Sequence, residues 1–269
     1  MGVRGLLTYC NPIKHYANTN VENLRIGLDG FCLLFLFREE REFFEQYLRS
    51  MLGRNTLVLV MDKRAAKEKR EVVQERKDLR KEARGEANTL SSFTQSSGFE
   101  DLDQNQQAIL GRVLAQKERA AWCLYPEYLK WFRTLLETLE IPLIWAPEEA
   151  DIVLAKGNYD VIVSSDSDLL ILGARKLWIP VLKVAKVFHT EVDGEEFLQY
   201  LGLGGDQLFE LAYMAGCDVQ PNSLMSVKEA VSRLRFYGSM KEIHTKHPEL
   251  ITSANMDEYA KLRRDVWAY

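Results

Sequence analysis

The chain has 269 residues, 46% of them hydrophobic and 28% charged, with a net charge of −4. This composition excludes collagen-like, coiled-coil and wholly disordered chains, and no uncharged apolar run reaches the ~18 residues that cross a bilayer. Cys10, Cys32, Cys123 and Cys217 form no CxxC pair, and the first twenty residues lack a secretory apolar core. Both features argue against a zinc site or disulfide framework and for a reducing, intracellular setting without membrane contact.

In chain order, Leu24–Leu28 is an apolar run ending at Asp29, and Thr56–Met61 is a β-rich run ending at Asp62. Both read as buried strands. Lys63–Glu86 then carries ten Lys/Arg and six Asp/Glu, a local excess of positive charge in an acidic chain. Arg76, Arg80 and Arg84 fall on one i,i+4 line, with Lys77 and Lys81 beside it. Such a helix is either a solvated charged surface or a basic face offered to phosphates. Ala87–Gln107 is rich in Ser, Gln and Asn, without apolar period, and is expected to be a mobile loop.

Tyr128, Trp131, Phe132, Leu135, Leu136 and Leu139 repeat at helical spacing. Pro142–Trp145 and Val161–Ser165 are two further strand-like runs, and Leu208–Cys217 is an apolar helix. Strands alternating with helices imply an α/β fold, a mainly parallel twisted sheet flanked by helices. Such sheets bind ligands beyond the carboxyl ends of their strands.

Acids collect at those ends. Asp29, Asp62 and Asp166 each close or follow a strand, Asp168 follows Asp166, Asp218 follows the apolar helix, and Glu149 and Asp151 open a helix. Singly, each reads equally as a turn former or a cap. Together they would repel one another unless a cation held them ionised. Hard divalent ions with carboxylate ligands do this, and paired ions ~4 Å apart serve phosphodiester cleavage.

The opening Met1-Gly2-Val3-Arg4-Gly5-Leu6 resembles the MGIxGL start of the flap endonuclease/XPG family of 5′ nucleases. The resemblance continues in order through Ile26–Asp29, Leu59–Asp62, Pro147–Asp151 (against P-x-E-A-E), Ser165–Gly173 and Leu201–Asp218. It implies a PIN-like nuclease core, two Mg²⁺ ions for which Mn²⁺ would substitute, and hydrolysis leaving a 5′-phosphate. By the same resemblance, the metal-binding and catalytic acids are Asp29, Asp62, Glu149, Asp151, Asp166, Asp168 and Asp218. Lys69 and Arg76, seven and fourteen residues after Asp62, match the lysine and arginine at the base of the family's helical arch, which act on the scissile phosphate. Gly2, Phe35, Arg80 and Arg84 are expected to contact nucleic acid. Phe35 matches a nucleotide-stacking aromatic, although it reads equally as a core residue. A single nuclease domain spans residues 1–269, with the core at about 1–62 and 124–218, the arch at about 63–123, and a degenerate helix-hairpin-helix with C-terminal helices at about 219–269.

The departures bear on substrate. Lys63 and Arg64 follow Asp62 where the family has Gly and Pro, and Asp151 replaces the second glutamate of E-A-E. Gln220–Ala230 has no glycine where the family has a glycine-rich, duplex-gripping hairpin, and no Q-x-x-L-x-x-F-F sliding-clamp motif occurs. These traits resemble the herpesvirus virion host shutoff RNases. The leading expectation is therefore a viral, host-shutoff-like endonuclease degrading single-stranded RNA in the cytoplasm, with translation-initiation factors as partners. The alternative is a nuclear endonuclease acting on DNA flaps or junctions in replication or repair. An inactive nucleic-acid-binding scaffold is the third, disfavoured because all seven acids are intact.

Overall fold

The β-branched and aliphatic residues of Thr56–Asp62 form a strand buried without interruption from Leu57 to Met61. A strand covered on both faces belongs in the middle of a largely parallel sheet, and that is its place. The computed structural model describes residues 2–19, 21–38, 40–63, 70–147, 149–183, 186–265 and 267. The strands are β1 (His15–Tyr16), β2 (Arg25–Asp29), β3 (Thr56–Asp62), β4 (Leu143–Ala146), β5 (Val161–Val163), β6 (Lys176–Lys183) and β7 (Lys186–Asp193). They lie in the order β1-β7-β6-β5-β2-β3-β4. Strands β6, β5, β2, β3 and β4 are mutually parallel. Strand β7 runs antiparallel to β6 and to β1, a pairing the sequence reading did not anticipate.

The helices are α1 (Leu6–Tyr9), α2 (Gly30–Phe37), α3 (Arg41–Leu52), α4 (Arg70–Thr94), α5 (Ser97–Glu100), α6 (Gln104–Ala121), α7 (Pro126–Thr138), α8 (Ala150–Lys156), α9 (Asp168–Ile171), α10 (Gly194–Leu201), α11 (Gly205–Ala215), α12 (Val227–Tyr237), α13 (Met240–Lys246) and α14 (Ser253–Asp265). Among the described residues, no helix is long and apolar enough to cross a membrane. The chain forms two compact units, one of residues 1–66 with 133–269 and the other of residues 67–132.

In the first unit, helices cover the sheet. On α2 and α3, Phe37 stacks on Phe44 with ring centroids 4.6 Å apart, and both are fully buried. Leu208, Leu211 and Met214 of α11 and Val227, Ala230 and Val231 of α12 belong to a continuous core with Leu154 and Ile162. The turn from β2 into α2 requires a residue without a side chain at position 30. A Cβ there would collide with the Met61 side chain and crowd the Val60 carbonyl. The order of strands matters for function. The chain runs outward from β2 through β3 to β4, then returns to β5 on the other side of β2. The carboxyl ends of β2 and β5 therefore flank a topological switch point, where open α/β sheets bind their ligands.

The second unit is a helical hairpin of α4 and α6 joined through α5. Its structure corrects one expectation: Ala87–Gln107 is not a loop. Helix α4 continues to Thr94, α5 spans Ser97–Glu100, and α6 begins at Gln104. The polar side chains are consumed locally. Thr89 Oγ1 donates to the Gly85 carbonyl at 3.1 Å and Ser92 Oγ to the Asn88 carbonyl at 2.9 Å, the back-bonding that lets such residues sit inside a helix. Asp103 and Gln106 form a reciprocal capping box at the start of α6. The Gln107 amide donates to the Phe99 and Leu102 carbonyls, both at 3.1 Å. Phe93 meets Phe99 edge-on across the bend. Ala83 and Ala87 are buried on α4, and the Glu86–Lys117 ion pair ties α4 to α6.

Candidate active site

Parallel pairing aligns the strand ends. Asp29 is in register with Val60, Asp62 with Ala146, and Leu28 with Val163. Asp29 thus lies one step past the last β2–β5 pair, level with Ser164. The Asp29 carboxylate is buried and N-caps α2, with Oδ1 accepting from the Cys32 amide at 3.0 Å. Its Oδ2 accepts from the Ser164 hydroxyl at 2.6 Å. Burial pushes the Asp29 carboxyl above its ordinary range; the two hydrogen bonds oppose this, and the charges of Asp166 and Asp62 add to it. Three acids from three strand ends therefore share one electrostatic environment.

The remaining acids join them through backbone contacts. Asp62 Oδ1 accepts from the Ala150 amide at 2.5 Å, which fixes the end of β3 against the start of α8, flanked by Glu149 at the N-cap and Asp151 in the first turn. Asp166 Oδ1 accepts from the Asp168 amide at 3.0 Å and closes the turn between β5 and α9. Asp218 follows α11 in a tight turn where Cys217 and Gln220 form a bridge. The Cys217 thiol is pushed up to about 12 by burial and then by the charge of Asp168, with Asp218 adding to it, so these two acids also share a neighbourhood.

Gly2 is buried with a positive φ of 66°. A Cβ there would overlap Asp166 Oδ1 and the Ser167 hydroxyl, so only glycine lets the N-terminal segment pack against the Asp-x-Asp turn. Phe35 lies half-buried on α2. In the second unit, Arg76 and Arg80 are half-buried on α4, and Arg84 donates to the Ala121 carbonyl at 3.3 Å. Lys69 lies outside the described residues. Sequence reading missed Ser164 and Cys32, which touch Asp29 directly. The available signal was the serine placed between a buried strand and an Asp-x-Asp.

Among the described residues, no three His, Cys, Asp or Glu side chains converge on one point closely enough to hold an ion. The donor chemistry nevertheless fits a hard cation. Burial and the Asp29 charge push the Cys32 thiol up to about 12, so neither Cys32 nor Cys217 offers a thiolate. What remains is carboxylate oxygen, the donor set of Mg²⁺ and Mn²⁺.

Residues 140–218 match the XPG I-region, the segment carrying Glu149, Asp151, Asp166, Asp168 and Asp218. Over this segment the chain is similar to the flap endonuclease/XPG family. It is 31% identical over 118 residues to flap endonuclease 1-B of Sorghum bicolor, a match covering 41% of this chain and 28% of that protein. The chain thus spans under a third of that relative's length. The fold resembles the catalytic core of Rad2 in complex with DNA substrate, at a TM-score of 0.63 and 21% identity, covering 97% of this chain and 79% of that one. It also resembles flap endonuclease-1 from Methanococcus jannaschii, at a TM-score of 0.61 and 18% identity, covering 97% and 84%. The mostly parallel sheet flanked by helices is the fold that these structures share.

Proposed function

We propose that this chain is a divalent-metal-dependent endonuclease that hydrolyses phosphodiester bonds in branched DNA, at 5′ flaps or junctions. The observation that carries the reading is the gathering of acids at the β2/β5 switch point, where the Asp29 carboxyl feels both Asp62 and Asp166. Asp29, Asp62, Glu149, Asp151, Asp166, Asp168 and Asp218 would hold two Mg²⁺ ions, some directly and others through water. The ions would activate a water and stabilise the leaving oxygen. The chain's own residues position the acids: Ser164 and the Cys32 amide orient Asp29, and the Ala150 amide orients Asp62. Lys69 and Arg76 would neutralise the scissile phosphate, with Arg80 and Arg84 extending the basic face of α4.

DNA replaces RNA as the leading substrate for two reasons. The relatives are named as flap endonucleases, and the Rad2 core of the same fold is a complex with DNA substrate. In addition, a turn between two helices is present at the position of the degenerate hairpin, which supports a duplex-binding role. Helices α11 and α12 are joined by the turn at 216–226, with Gly216 supplying a positive φ of 85° and the Ser226 side chain capping α12. The side chains throughout Gln220–Ala230 still favour a second reading, cleavage of single-stranded RNA, which needs no close backbone approach to a duplex. The kcat/KM ratio for a double-flap DNA and a single-stranded RNA, in one Mg²⁺ buffer at matched salt, tests the assignment. A flap preference of tenfold or more, about 1.4 kcal/mol in transition-state terms, is expected. An RNA preference of that size would restore the host-shutoff reading.

A further inference from the structure

Ser164 lies at the carboxyl end of β5 and is fully buried. Its backbone amide donates to the Trp178 carbonyl at 3.1 Å, which pins the residue to β6. Its hydroxyl faces the other way, towards β2, and donates to Asp29 Oδ2 at 2.6 Å. The same oxygen accepts from the Asp166 amide at 3.0 Å, and Asp166 Oδ1 accepts from the Asp168 amide at 3.0 Å. A hydroxyl has one proton, and here it points at the Asp29 carboxylate while a lone pair takes the Asp166 amide. One oxygen atom therefore joins the acid of one strand to the Asp-x-Asp turn of the next. A second contact runs alongside it, from the Ser165 amide to Cys32 Sγ at 3.2 Å. The sulfur is a weak acceptor, so the hydroxyl is the stronger of the two links.

We propose that Ser164 is a positioning residue whose hydroxyl sets the spacing of Asp29 from Asp166 and so tunes divalent-cation affinity. This rests on the metal-dependent reading above. Without the hydroxyl, Asp29 Oδ2 loses its donor and the Asp166 amide loses its acceptor. Asp29 then keeps the Cys32 amide and Asp166 the Asp168 amide, but no atom links the two acids, and the carboxylates meet an ion as a less well arranged pair.

The test compares Ser164→Thr with Ser164→Val, a pair of nearly equal volume that differ in the hydroxyl. Calorimetric titration with Mn²⁺ alone, without nucleic acid, reads the affinity. Thermal unfolding of the metal-free protein reads the fold. We expect Ser164→Thr to bind Mn²⁺ within threefold of wild type and Ser164→Val to bind at least tenfold more weakly, with the two melting together. Equal affinity for Thr and Val variants, when wild type binds, would overturn the positioning role and leave the parent reading intact. Failure of wild type itself to bind Mn²⁺ would overturn both.

Discussion

Asp166 receives order from three directions. Gly2 packs against it, the Ser164 hydroxyl holds its amide, and the Asp168 amide holds its carboxylate. Its charge also raises the Asp29 carboxyl. Asp166→Asn should keep the shape and remove a repulsive charge. The metal-free melting temperature should hold or rise, while cleavage falls about a hundredfold or more. Wild-type turnover in the variant would remove Asp166 from the site. A different residue governs acid stability. His189 is buried on β7, where its Nε2 pairs with the Tyr47 hydroxyl at 2.9 Å and its Nδ1 has no partner. Burial brings its imidazole down to about 4. The unfolded chain therefore binds a proton between pH 6.5 and 4 that the folded chain refuses. Stability should fall as pH is lowered through that window, by roughly 1 kcal/mol per unit from this group. Denaturant unfolding of His189→Phe should give a shallower pH slope than wild type, and an unchanged slope would exclude His189 as the source. Individual acids stood out in the sequence because each follows a strand, opens a helix or, for Asp218, follows one. Ser164 was not, because its importance lies in a register that only strand pairing reveals.

At the scale of elements, the parallel core was readable and the helical course of Ala87–Gln107 was not. Uninterrupted apolar runs such as Thr56–Met61 admit few readings, and β2 to β5 fall close to where they were expected. Strands β6 and β7 were missed because their faces are partly exposed and carry Lys, Glu and His. Ala87–Gln107 was misread because local hydrogen bonds, rather than apolar burial, sustain its helices. The capping box makes this testable. Asp103→Ala should lower the stability of α6 by about 1 kcal/mol, visible as faster amide exchange across Gln104–Ala108. Unchanged exchange would assign no stabilisation to the cap. Chymotrypsin should leave Leu90 and Phe93 uncut under conditions that cut at the exposed Tyr16. Arg76→Ala and Lys69→Ala should each reduce cleavage strongly with little change in melting temperature. Loss of both together would mark them as structural.

For the whole molecule, the net charge of −4 coexists with a positive stretch, Lys63–Glu86, a division that composition averages away. Within the first unit, acids at the carboxyl end of the sheet suit metal ions, and within the second, Arg76, Arg80 and Arg84 on α4 suit phosphates. The fold and the order of motifs pointed to the family from sequence. The sequence weighed the glycine-free Gln220–Ala230 of a degenerate hairpin towards RNA, whereas the proposed DNA reading rests on relatives named as flap endonucleases. The most direct test incubates purified protein with a labelled 5′-flap DNA, with Mg²⁺ and with excess EDTA, and determines the product termini. The account predicts endonucleolytic cleavage that requires Mg²⁺, leaves a 5′-phosphate and is lost in Asp29→Asn. Cleavage that persists in EDTA, or no cleavage of flap, junction or RNA with Mg²⁺ or Mn²⁺, would contradict it.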